Sequence, residues 1–569
     1  MAIPIPLFTR GSNGTTAVLG PPSFKQFEAV SPVQSKSCKN ILFSPDGTYF
    51  AFANALTITI LKTENWQTVA VIENTKAYHL AFSPKSTFLL TWEPFTVSNA
   101  NPQGCPNLKI YKCESGELVK SFIQKKQVNW EPQWSSDEKL FSRLVNTDVV
   151  FYEDFNFDKI VARLSGHKVV SYGLSPNAGT YFILCHTLGG PGQPSFGRLF
   201  KYPNFEQSIA NKSFMQADKV DYLWNSKGNN ALLLTSTEVD KTGGSYYGKQ
   251  GLHFIGVNGN TSLVTMNKEG PIYGVQWSPK NQEFCVVYGY MPAKATIFNL
   301  KCEPVFELGT GARNSIYYNP QGNILLLGGF GNLRGQVEIW DAVNKKKIGS
   351  CEASDSTCLL WAPDGEHFLT ATTAPRLRIG NGFKIWHYSG SLLHEVQWPQ
   401  GEELYDVIWK LYPKLTFKDP QITGKKVEGI VSSQPQASNQ VYRPPSARNR
   451  PTVTIKLHNE DEEAHKVGGN NAPSKAALKN KKKREAKKAK QAEDGEVVEE
   501  QSSPVVSSVK IVLTGDPEVD KKLKNIKKKL DAIEKLKKDQ AAGKPLEINQ
   551  LAKIKGETDL LQELKNLTV

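Results

Sequence analysis

A short phrase recurs eight times along the chain, and it constrains the fold more than any other feature. Each copy has apolar or aromatic residues, then Ser-Pro or a close variant, then a polar residue or glycine that leads into a new apolar run. Proline presets φ at the first turn position, and Asp, Asn, Lys or Gly suits the next, so each copy has the chemistry of a β-hairpin turn. The copies occupy residues 42–47, 81–85, 133–137, 173–177, 223–228, 276–280, 317–322 and 360–365.

The spacing of the copies indicates the architecture. Their central positions are 39 to 53 residues apart, and an alternating strand with a second polar turn follows each copy, as in residues 336–341 and 383–390. Four short strands in about 40–50 residues make one blade of a β-propeller. The sequence therefore predicts an all-β, WD40-like β-propeller over residues 1–424, and no helix is needed within it.

The two ends of this region predict how the ring closes. Residues 404–409 resemble the start of a ninth unit, but no complete blade follows them. Residues 5–10 and 15–19, joined by the turn 11–14, resemble the outer strands that this unit lacks. Pairing the first and last segments would remove the exposed sheet edges of an open array. We therefore predict nine blades; the alternative is eight blades, with residues 405–409 as a mere extension.

The last quarter of the chain has a different composition. The protein has 11 Trp, 19 Tyr and 27 Phe, but Tyr442 is the only aromatic residue after Gly424. Residues 425–569 hold 30 Lys and Arg against 21 Asp and Glu, so they carry +9 of the total net charge of +14. A segment that is basic and poor in large apolar residues cannot bury a core. We interpret it as an extended basic appendage.

Four segments can be distinguished in this appendage. Residues 425–474 are a Pro/Ser-rich linker predicted to be largely disordered, 475–492 a Lys-rich segment that is helical only when its charges are neutralised, and 493–515 an acidic, Ser-rich linker. Residues 516–569 are predicted to form helices, because Asp516-Pro517-Glu518 is a typical helix start and the apolar residues after it follow heptad spacing. These helices either form a hairpin that buries its own seam or dock on a partner.

Candidate nucleic-acid contacts lie in the appendage. Arginine binds phosphate in bidentate fashion, an aromatic ring stacks on an unpaired base, and lysines release counterions from a phosphate backbone. The alternatives are a solvated Pro-rich spacer, a nuclear-localisation signal or a solubilising run. The candidate residues are Tyr442, Arg443, Arg448, Arg450, Lys481, Lys482, Lys483, Arg484, Lys487, Lys488, Lys527 and Lys528.

The sequence also bears on catalysis, cofactor binding and membrane insertion. The chain lacks the G-x-S-x-G, G-x-x-x-x-G-K-[ST] and H-E-x-x-H motifs and has no cysteine–histidine cluster at metal-site spacing. It has no run of 18 apolar residues, residues 1–10 show no basic segment followed by a long apolar one, and its eight cysteines form no C-x-x-C pair. We therefore expect a cytoplasmic protein with reduced cysteines that is not an enzyme, needs no cofactor or metal, and does not bind membranes.

Together, several motifs resemble the eukaryotic translation initiation factor 2A family of WD-repeat propellers. They are Pro6-Leu7-Phe8-Thr9-Arg10-Gly11, Phe43-Ser44-Pro45-Asp46-Gly47, Trp277-Ser278-Pro279, Tyr442-Arg443-Pro444-Pro445, the Lys-rich run, Asp516-Pro517-Glu518 and Lys544-Pro545-Leu546, in that order. The resemblance spans essentially the whole chain.

This resemblance implies a nine-bladed propeller and a non-enzymatic factor that binds the small (40S) ribosomal subunit through its rRNA and proteins. It also implies codon-dependent delivery of initiator methionyl-tRNA without a requirement for GTP. Messenger RNA and other initiation factors are further partners expected of the tail. The competing interpretation is a general propeller scaffold for protein interactions, whose basic tail only solubilises or localises it.

Overall fold

The computed structural model describes residues 3–28, 38–73, 75–99, 101–189, 193–215, 217–237 and 248–433, the backbone of 465–466, and residues Ile533 and Lys537. Within residues 3–433, every regular element that the structure describes is a β-strand.

The first eighteen strands, in chain order, are β1 (Pro6–Gly11), β2 (Gly14–Leu19), β3 (Asn40–Phe43), β4 (Tyr49–Ala53), β5 (Ile58–Lys62), β6 (Thr68–Ile72), β7 (His79–Phe82), β8 (Phe88–Trp92), β9 (Leu108–Lys112), β10 (Leu118–Phe122), β11 (Gln133–Trp134), β12 (Leu140–Val145), β13 (Asp148–Glu153), β14 (Ala162–Leu164), β15 (Val169–Leu174), β16 (Phe182–Thr187), β17 (Ser195–Lys201) and β18 (Ala210–Phe214). The others are β19 (Lys219–Trp224), β20 (Asn230–Ser236), β21 (Gln250–Gly256), β22 (Thr261–Leu263), β23 (Ile272–Trp277), β24 (Glu283–Tyr288), β25 (Ala293–Asn299), β26 (Pro304–Gly311), β27 (Ser315–Tyr318), β28 (Ile324–Gly328), β29 (Gln336–Asp341), β30 (Lys346–Glu352), β31 (Cys358–Trp361), β32 (His367–Thr372), β33 (Gly382–His387), β34 (Leu392–Gln397), β35 (Leu404–Trp409) and β36 (His465–Lys466).

Strands β3 to β34 form eight consecutive antiparallel sheets of four strands, which are blades 1 to 8. The first strands of neighbouring blades contact each other, as β15 does with β11 and β19, so these strands surround the central axis. Strand β36 pairs with β26 as a fifth strand of blade 6. Because the strands alternate in direction, all turns between the first and second strands lie on one face, here called the turn face. The connections between blades, and those between second and third strands, lie on the opposite face, here called the loop face.

The ninth blade joins the two ends of the propeller. Strand β35 pairs with β1, and β1 pairs with β2, so the sheet order is β2-β1-β35. Blade 9 therefore takes its inner strand from residues near 407 and its next two strands from the N-terminus. The prediction of nine blades is confirmed. The eight-blade alternative is wrong, because residues 404–409 are a paired inner strand and not an extension.

The recurring phrase forms its turn through a buried polar side chain. In six copies the Ser Oγ or Asn Oδ1 atom accepts a hydrogen bond from the first backbone N–H groups of the second strand. These side chains are at most 1% exposed, so replacing one would leave a buried N–H without an acceptor. The acceptor and donor residues are Ser44 and Tyr49, Ser83 and Phe88, Ser135 and Leu140, Ser175 and Phe182, Asn225 and Asn230, and Asn319 and Ile324, at 2.8 to 3.2 Å.

The phrase turns also contact one another around the turn face. A polar group in one turn binds a side chain or backbone group in the turn of the next blade. These contacts set how neighbouring blades are aligned. The pairs are Ser86 with Asp46, Lys85 with Glu138, Gly179 with Asp137, Asn177 with Lys227, Ser226 with Asn281, and Gln321 with Pro363.

The hydrophobic core is distributed between the blades. The described residues form nine buried clusters, and each cluster combines side chains of two neighbouring blades. The cluster between blades 9 and 1, for example, contains Phe8 of β1 and Phe50 of β4, whose ring centroids are 4.6 Å apart. Since apolar burial is the main favourable term in folding, each blade is stabilised chiefly by its two neighbours.

The chain divides into two compact units, Met1–Asn470 and Asn471–Val569. In the second unit the structure describes a buried Ile533 and an exposed Lys537, both helical. The remaining residues of the predicted C-terminal helices, and the predicted segments 475–492 and 493–515, lie outside the described residues.

Candidate nucleic-acid interface

Two neighbouring connections on the loop face carry exposed arginines, and we call them the arginine loops. Residues 329–335 join β28 to β29 in blade 7, and residues 373–381 join β32 to β33 in blade 8. Arg334 in the first loop, and Arg376 and Arg378 in the second, are exposed. Guanidinium groups on adjacent loops are suited to bind a polyanion at several points.

The two loops touch through Arg376 and Gly331. Gly331 has a φ of +76°, and the Arg376 Nη2 atom lies 2.7 Å from the position that a Cβ atom would occupy on this glycine. Any side chain at residue 331 would therefore displace the guanidinium. The glycine allows Arg376 to lie against the backbone of the neighbouring blade.

A buried asparagine fixes the end of the blade 8 loop. Asn381 is 7% exposed, and its Nδ2 atom donates to the carbonyl oxygen of Leu377 at 2.7 Å. Its Oδ1 atom accepts from the backbone N–H of Leu404, the first residue of β35, at 2.9 Å. The loop is thereby held to the inner strand of blade 9.

The side chains at the tip of this loop alternate between cationic and apolar. Leu377 is 38% exposed and Ile379 is 90% exposed. Arg378 lies 3.4 Å from Glu403, but the arginine side chain is 69% exposed, and an ion pair so exposed contributes little stability. Among the described residues, Arg334 and Arg376 have no acidic partner within ion-pair distance. The surface can therefore take up phosphate charge without first breaking a strong ion pair.

Residues 420–433 form a strap that follows the last propeller strand and lies across blades 7 and 8. Ile422 packs into the apolar cluster between these two blades. The strap then follows β34, the outermost strand of blade 8, from the turn face towards the loop face. Its backbone contacts are Asn323 Nδ2 to the Pro420 oxygen, Tyr388 OH to the Gln421 oxygen, Ser391 Oγ to the Val427 oxygen, and the Ile430 N–H to the Leu392 oxygen, at 2.6 to 2.9 Å. The first nine residues of the predicted linker thus lie on the propeller.

Glu395 anchors the end of the strap. One carboxylate oxygen accepts from the Ser433 N–H at 2.7 Å, and the other accepts from the Ser432 Oγ at 2.9 Å. Burial opposes ionisation of Glu395, but these hydrogen bonds and the charge of Lys384, 3.3 Å away, outweigh it and lower the pKa of the carboxyl group. The carboxylate is therefore ionised at neutral pH and holds the strap as a charge-assisted acceptor.

The end of the strap lies beside the blade 8 arginine loop. Ser433 accepts a hydrogen bond from Gln397 Nε2 at 2.7 Å. Gln397 is the last residue of β34 and pairs with Gly382, the first residue after the arginine loop. The chain that continues towards the predicted contacts at 442–450 therefore starts at the loop face.

All twelve candidate contact residues predicted from the sequence, from Tyr442 to Lys528, lie outside the described residues, so their assignment stays a prediction. Sequence reasoning missed the arginine loops and the strap. The only signal for the first was the run Arg376-Leu377-Arg378-Ile379, two cations alternating with two aliphatic residues in a strand connection.

A cavity of about 240 Å³ lies between the inner strands of blades 3, 4 and 5. Two of its polar side chains are paired: the Tyr222 hydroxyl donates to the Ser171 backbone oxygen at 2.7 Å, and Asp221 pairs at 2.9 Å with Lys219, which lies outside the cavity lining. Burial raises the pKa of Tyr222, so its hydroxyl stays neutral. Asp221 is the single carboxylate among the residues that line this cavity, so no carboxylate pair for acid–base chemistry converges there.

The described residues include no group of three His, Cys, Asp or Glu side chains that could hold a metal ion. Their eight cysteines are unpaired, and burial raises the pKa of the Cys285 and Cys185 thiols, the latter to about 12. These thiols are therefore protonated and unreactive at neutral pH. No helix in the part of the chain that the structure describes is long and apolar enough to cross a membrane.

Comparison with known proteins gives consistent results. Residues 212–407 match the family described as "Eukaryotic translation initiation factor eIF2A". Eukaryotic translation initiation factor 2A of Drosophila melanogaster is 39% identical, over 94% of this chain and 93% of its own, and that of Caenorhabditis elegans is 33% identical, over 97% and 96%. A solved structure described as "Crystal structure of the eukaryotic initiation factor" superposes with a TM-score of 0.67 at 32% identity and covers 72% of this chain and all of its own.

The fold and these similarities define a β-propeller protein of the translation initiation machinery. The predicted family resemblance is confirmed: the chain belongs to the eukaryotic translation initiation factor 2A family.

Proposed function

We propose that the protein is a non-enzymatic initiation factor that binds the small (40S) ribosomal subunit and promotes codon-dependent delivery of initiator methionyl-tRNA without requiring GTP. Ribosomal RNA and ribosomal proteins are its principal partners, and messenger RNA and other initiation factors are further partners of the tail. It acts in the cytoplasm. Family membership supports the general role, and the residues described above support a specific mode of binding.

One observation carries this proposal: the strap fastens the start of the basic tail beside the arginine loops. Tyr442 follows Ser433 by nine residues, and an extended chain spans at most about 3.5 Å per residue. The aromatic and arginine residues at 442–450 therefore cannot lie more than about 30–60 Å from the loop face, depending on the residue. Two cationic elements attached to one rigid body bind a single large polyanion more tightly than either alone, because the second contact is intramolecular.

The proposed mechanism divides the work between positioning and delivery. The arginine loops would bind ribosomal phosphates and orient the propeller, since phosphate contacts set orientation without reading sequence. The tail would then contact the tRNA or single-stranded RNA, where Tyr442 can stack on a base. None of these steps needs a nucleotide cofactor, in agreement with the absence of a phosphate-binding loop motif from the sequence.

Binding to purified 40S subunits across a series of salt concentrations tests the proposal. The full chain is compared with a variant in which Tyr442, Arg443, Arg448 and Arg450 are alanine, and with a deletion of residues 475–569. Each lost phosphate contact reduces the salt slope by about 0.7–0.9, so three arginines should reduce it by about 2–3. Equal affinity and slope for all three proteins would refute the assignment of RNA contacts to the tail.

Delivery is tested separately by forming complexes of 40S subunits, AUG-containing RNA and labelled initiator tRNA with and without GTP. The proposal expects the full chain to increase the yield of complex equally in both conditions, and only when the start codon is present. Dependence on GTP, or an increase with any codon, would contradict it.

The exposed aliphatic residues of the blade 8 loop favour one second candidate, a propeller scaffold for protein interactions. Ile379 is 90% exposed, which suits an apolar pocket on another protein. This alternative predicts binding that changes little with salt and is lost in Ile379→Asp. The initiation-factor proposal predicts that binding weakens strongly as the salt concentration rises and changes little in Ile379→Asp.

A further inference from the structure

The two serines at the end of the strap have different surroundings, although both contact Glu395. The Ser432 Oγ donates to one carboxylate oxygen of Glu395, and Lys384 Nζ donates to the Ser432 Oγ, both at 2.9 Å. Ser433 donates to the other carboxylate oxygen through both its N–H, at 2.7 Å, and its Oγ, at 2.9 Å. Its Oγ accepts in turn from the Gln397 amide at 2.7 Å.

The balance of charge therefore differs at the two hydroxyl groups. At Ser432 a lysine ammonium lies within hydrogen-bond distance. At Ser433 the polar groups in contact are a carboxylate and a neutral amide. Glu395 itself is 7% exposed, so solvent screens its charge poorly.

We propose that Ser433 is a phosphorylation site and that its phosphate releases the strap from blade 8. The Ser433 Oγ attacks the terminal phosphorus of a nucleoside triphosphate bound to a protein kinase. The bond from that phosphorus to the bridging oxygen breaks, the nucleoside diphosphate leaves, and the hydroxyl proton passes to the kinase's base. A phosphate at this position carries nearly two negative charges beside the Glu395 carboxylate. Phosphorylation also removes the hydroxyl proton that Ser433 donates.

A kinase can reach Ser433 because this residue is exposed and few contacts hold the segment that precedes it. Ser433 is exposed, Ile430 is 50% exposed and Val431 is 90% exposed. Few hydrogen bonds of the described residues join the strap to the propeller between Lys425 and Val431. Ser391 Oγ donates to the Val427 oxygen, and the Ile430 N–H donates to the Leu392 oxygen. The Val427 N–H donates to Ser389 Oγ at a long 3.4 Å. Segments with few buried apolar contacts open locally at low cost.

Release would begin at Ser433 and extend back along β34. Once the Glu395 contacts are lost, the remaining backbone contacts of Val427 and Ile430 hold a short, exposed segment. The strap before them stays attached, because Ile422 is packed in the core between blades 7 and 8. Phosphorylation would thus move the start of the tail away from the arginine loops without unfolding the propeller. The proposal does not depend on what the tail binds.

The experiment uses the full chain with phosphoserine incorporated at residue 433 and follows amide hydrogen exchange in residues 427–433. The Ile430 and Ser433 N–H groups are hydrogen-bonded in the unmodified protein, so their exchange should become at least tenfold faster. The matched control is phosphoserine at residue 432, whose phosphate meets Lys384 and should cause a clearly smaller change. Exchange in β34 should stay unchanged in both proteins, which shows that blade 8 remains folded.

Glu395→Gln supplies a second arm. An amide oxygen can still accept a hydrogen bond, so the variant alone should keep the strap bound. If charge repulsion releases the strap, Glu395→Gln should restore slow exchange in the protein with phosphoserine 433. Failure to restore it, equal release by phosphoserine 432, or unchanged exchange with phosphoserine 433 would each overturn the release step.

Phosphopeptide mapping tests the modification itself. The tryptic peptide from Val427 to Arg448 contains Ser433, because trypsin does not cleave between Arg443 and Pro444, and the proposal expects phosphate on Ser433 in protein isolated from growing or stressed eukaryotic cells. An unmodified Ser433 under both conditions would overturn the assignment of the site.

Discussion

The Arg10 guanidinium lies 2.5 Å from the Asp406 carboxylate, although 396 positions separate the two residues in the chain. Arg10 belongs to β1 and Asp406 to β35, so this ion pair spans the seam between the first and last segments of the propeller. The guanidinium also donates to the Cys38 oxygen at 3.3 Å and lies 5.0 Å from the centre of the Tyr405 ring. The Arg10 side chain thus connects strands β1 and β35 of blade 9 and also joins this blade to the segment before blade 1.

The seam predicts a stability effect for Arg10→Ala. The variant loses a charge-assisted hydrogen bond and leaves the Asp406 carboxylate without its partner, so the free energy of unfolding should fall by about 1–3 kcal/mol. Urea denaturation followed by tryptophan fluorescence measures the change. Arg163→Ala is the control, because its ion pair with Asp148 is within one blade and the arginine is 50% exposed. An exposed pair contributes about 0–1 kcal/mol, and an equal loss in both variants would contradict the special role of the seam.

Two glycines with the same φ allow two destabilising effects to be distinguished: backbone strain, and a steric clash where the ring closes. Gly47 and Gly179 both have a φ of +75°, but a Cβ atom on Gly47 would lie 2.0 Å from the Leu411 oxygen, whereas nothing lies within 4 Å of one on Gly179. Gly179→Ala should cost about 1 kcal/mol, the ordinary penalty of a left-handed alanine. Gly47→Ala should cost at least about 3 kcal/mol, because the turn of blade 1 must move away from the chain that follows β35. Similar unfolding midpoints for the two variants would disprove the close approach at Gly47.

The stability of the propeller should depend on pH through His253. Burial between blades 4 and 5, together with the nearby Lys212 charge, lowers the pKa of His253 from 6.5 to about 4. The unfolded chain therefore binds a proton at pH values where the folded protein does not. The free energy of unfolding that His253 contributes is therefore fully present above pH 6.5 and is lost as the pH falls towards 4. At pH 5 the loss is about 2 kcal/mol.

Unfolding midpoints at several pH values check this expectation. His253→Gln removes the titrating group, so its midpoint should fall less between pH 7.5 and pH 5 than that of the original protein. Parallel pH curves for the two proteins would mean that His253 does not contribute to the acid sensitivity.

The arginine loops should contribute to ribosome binding through charge. The double change Arg376→Glu and Arg378→Glu should weaken binding to 40S subunits at least tenfold at moderate salt and lower the salt slope by about 1.4–1.8, because two phosphate contacts are lost. Filter binding or sedimentation measures both quantities. Lys227→Glu with Lys280→Glu changes the net charge equally on the turn face and is the matched control. Equal weakening by both pairs would indicate a general charge effect and not a site on the loop face.

The blades were predictable because the information for each is local. The phrase 360–365, for example, contains the proline, the polar turn residue and the glycine that make its hairpin, and the strands beside it alternate with period two. The ninth blade was predictable for another reason: half a repeat remained at each end, and an open sheet edge is unfavourable. Both inferences need only sequence and the geometry of strands.

The arginine loops and the strap could not be predicted in this way. Arg334 and Arg376 are 42 positions apart, and only the packing of blade 7 on blade 8 brings their loops together. The strap lacks an alternating pattern and resembles a linker, because its place depends on a groove built by Tyr388, Leu392 and Glu395. The serines at its end are ordinary linker residues until the fold provides the carboxylate that binds them.

The amino-acid sequence by itself therefore determined the strands, the turns, the repeat that forms each blade and the separation of a near-neutral propeller from a basic tail. Those properties follow from short-range periodicity, turn chemistry and composition, which act over a few residues at a time. The tertiary structure alone decided which arginines share a surface, how Arg10 meets Asp406, and where the tail begins. Such contacts join residues that are distant in the chain, and only the closed ring sets the distances between them.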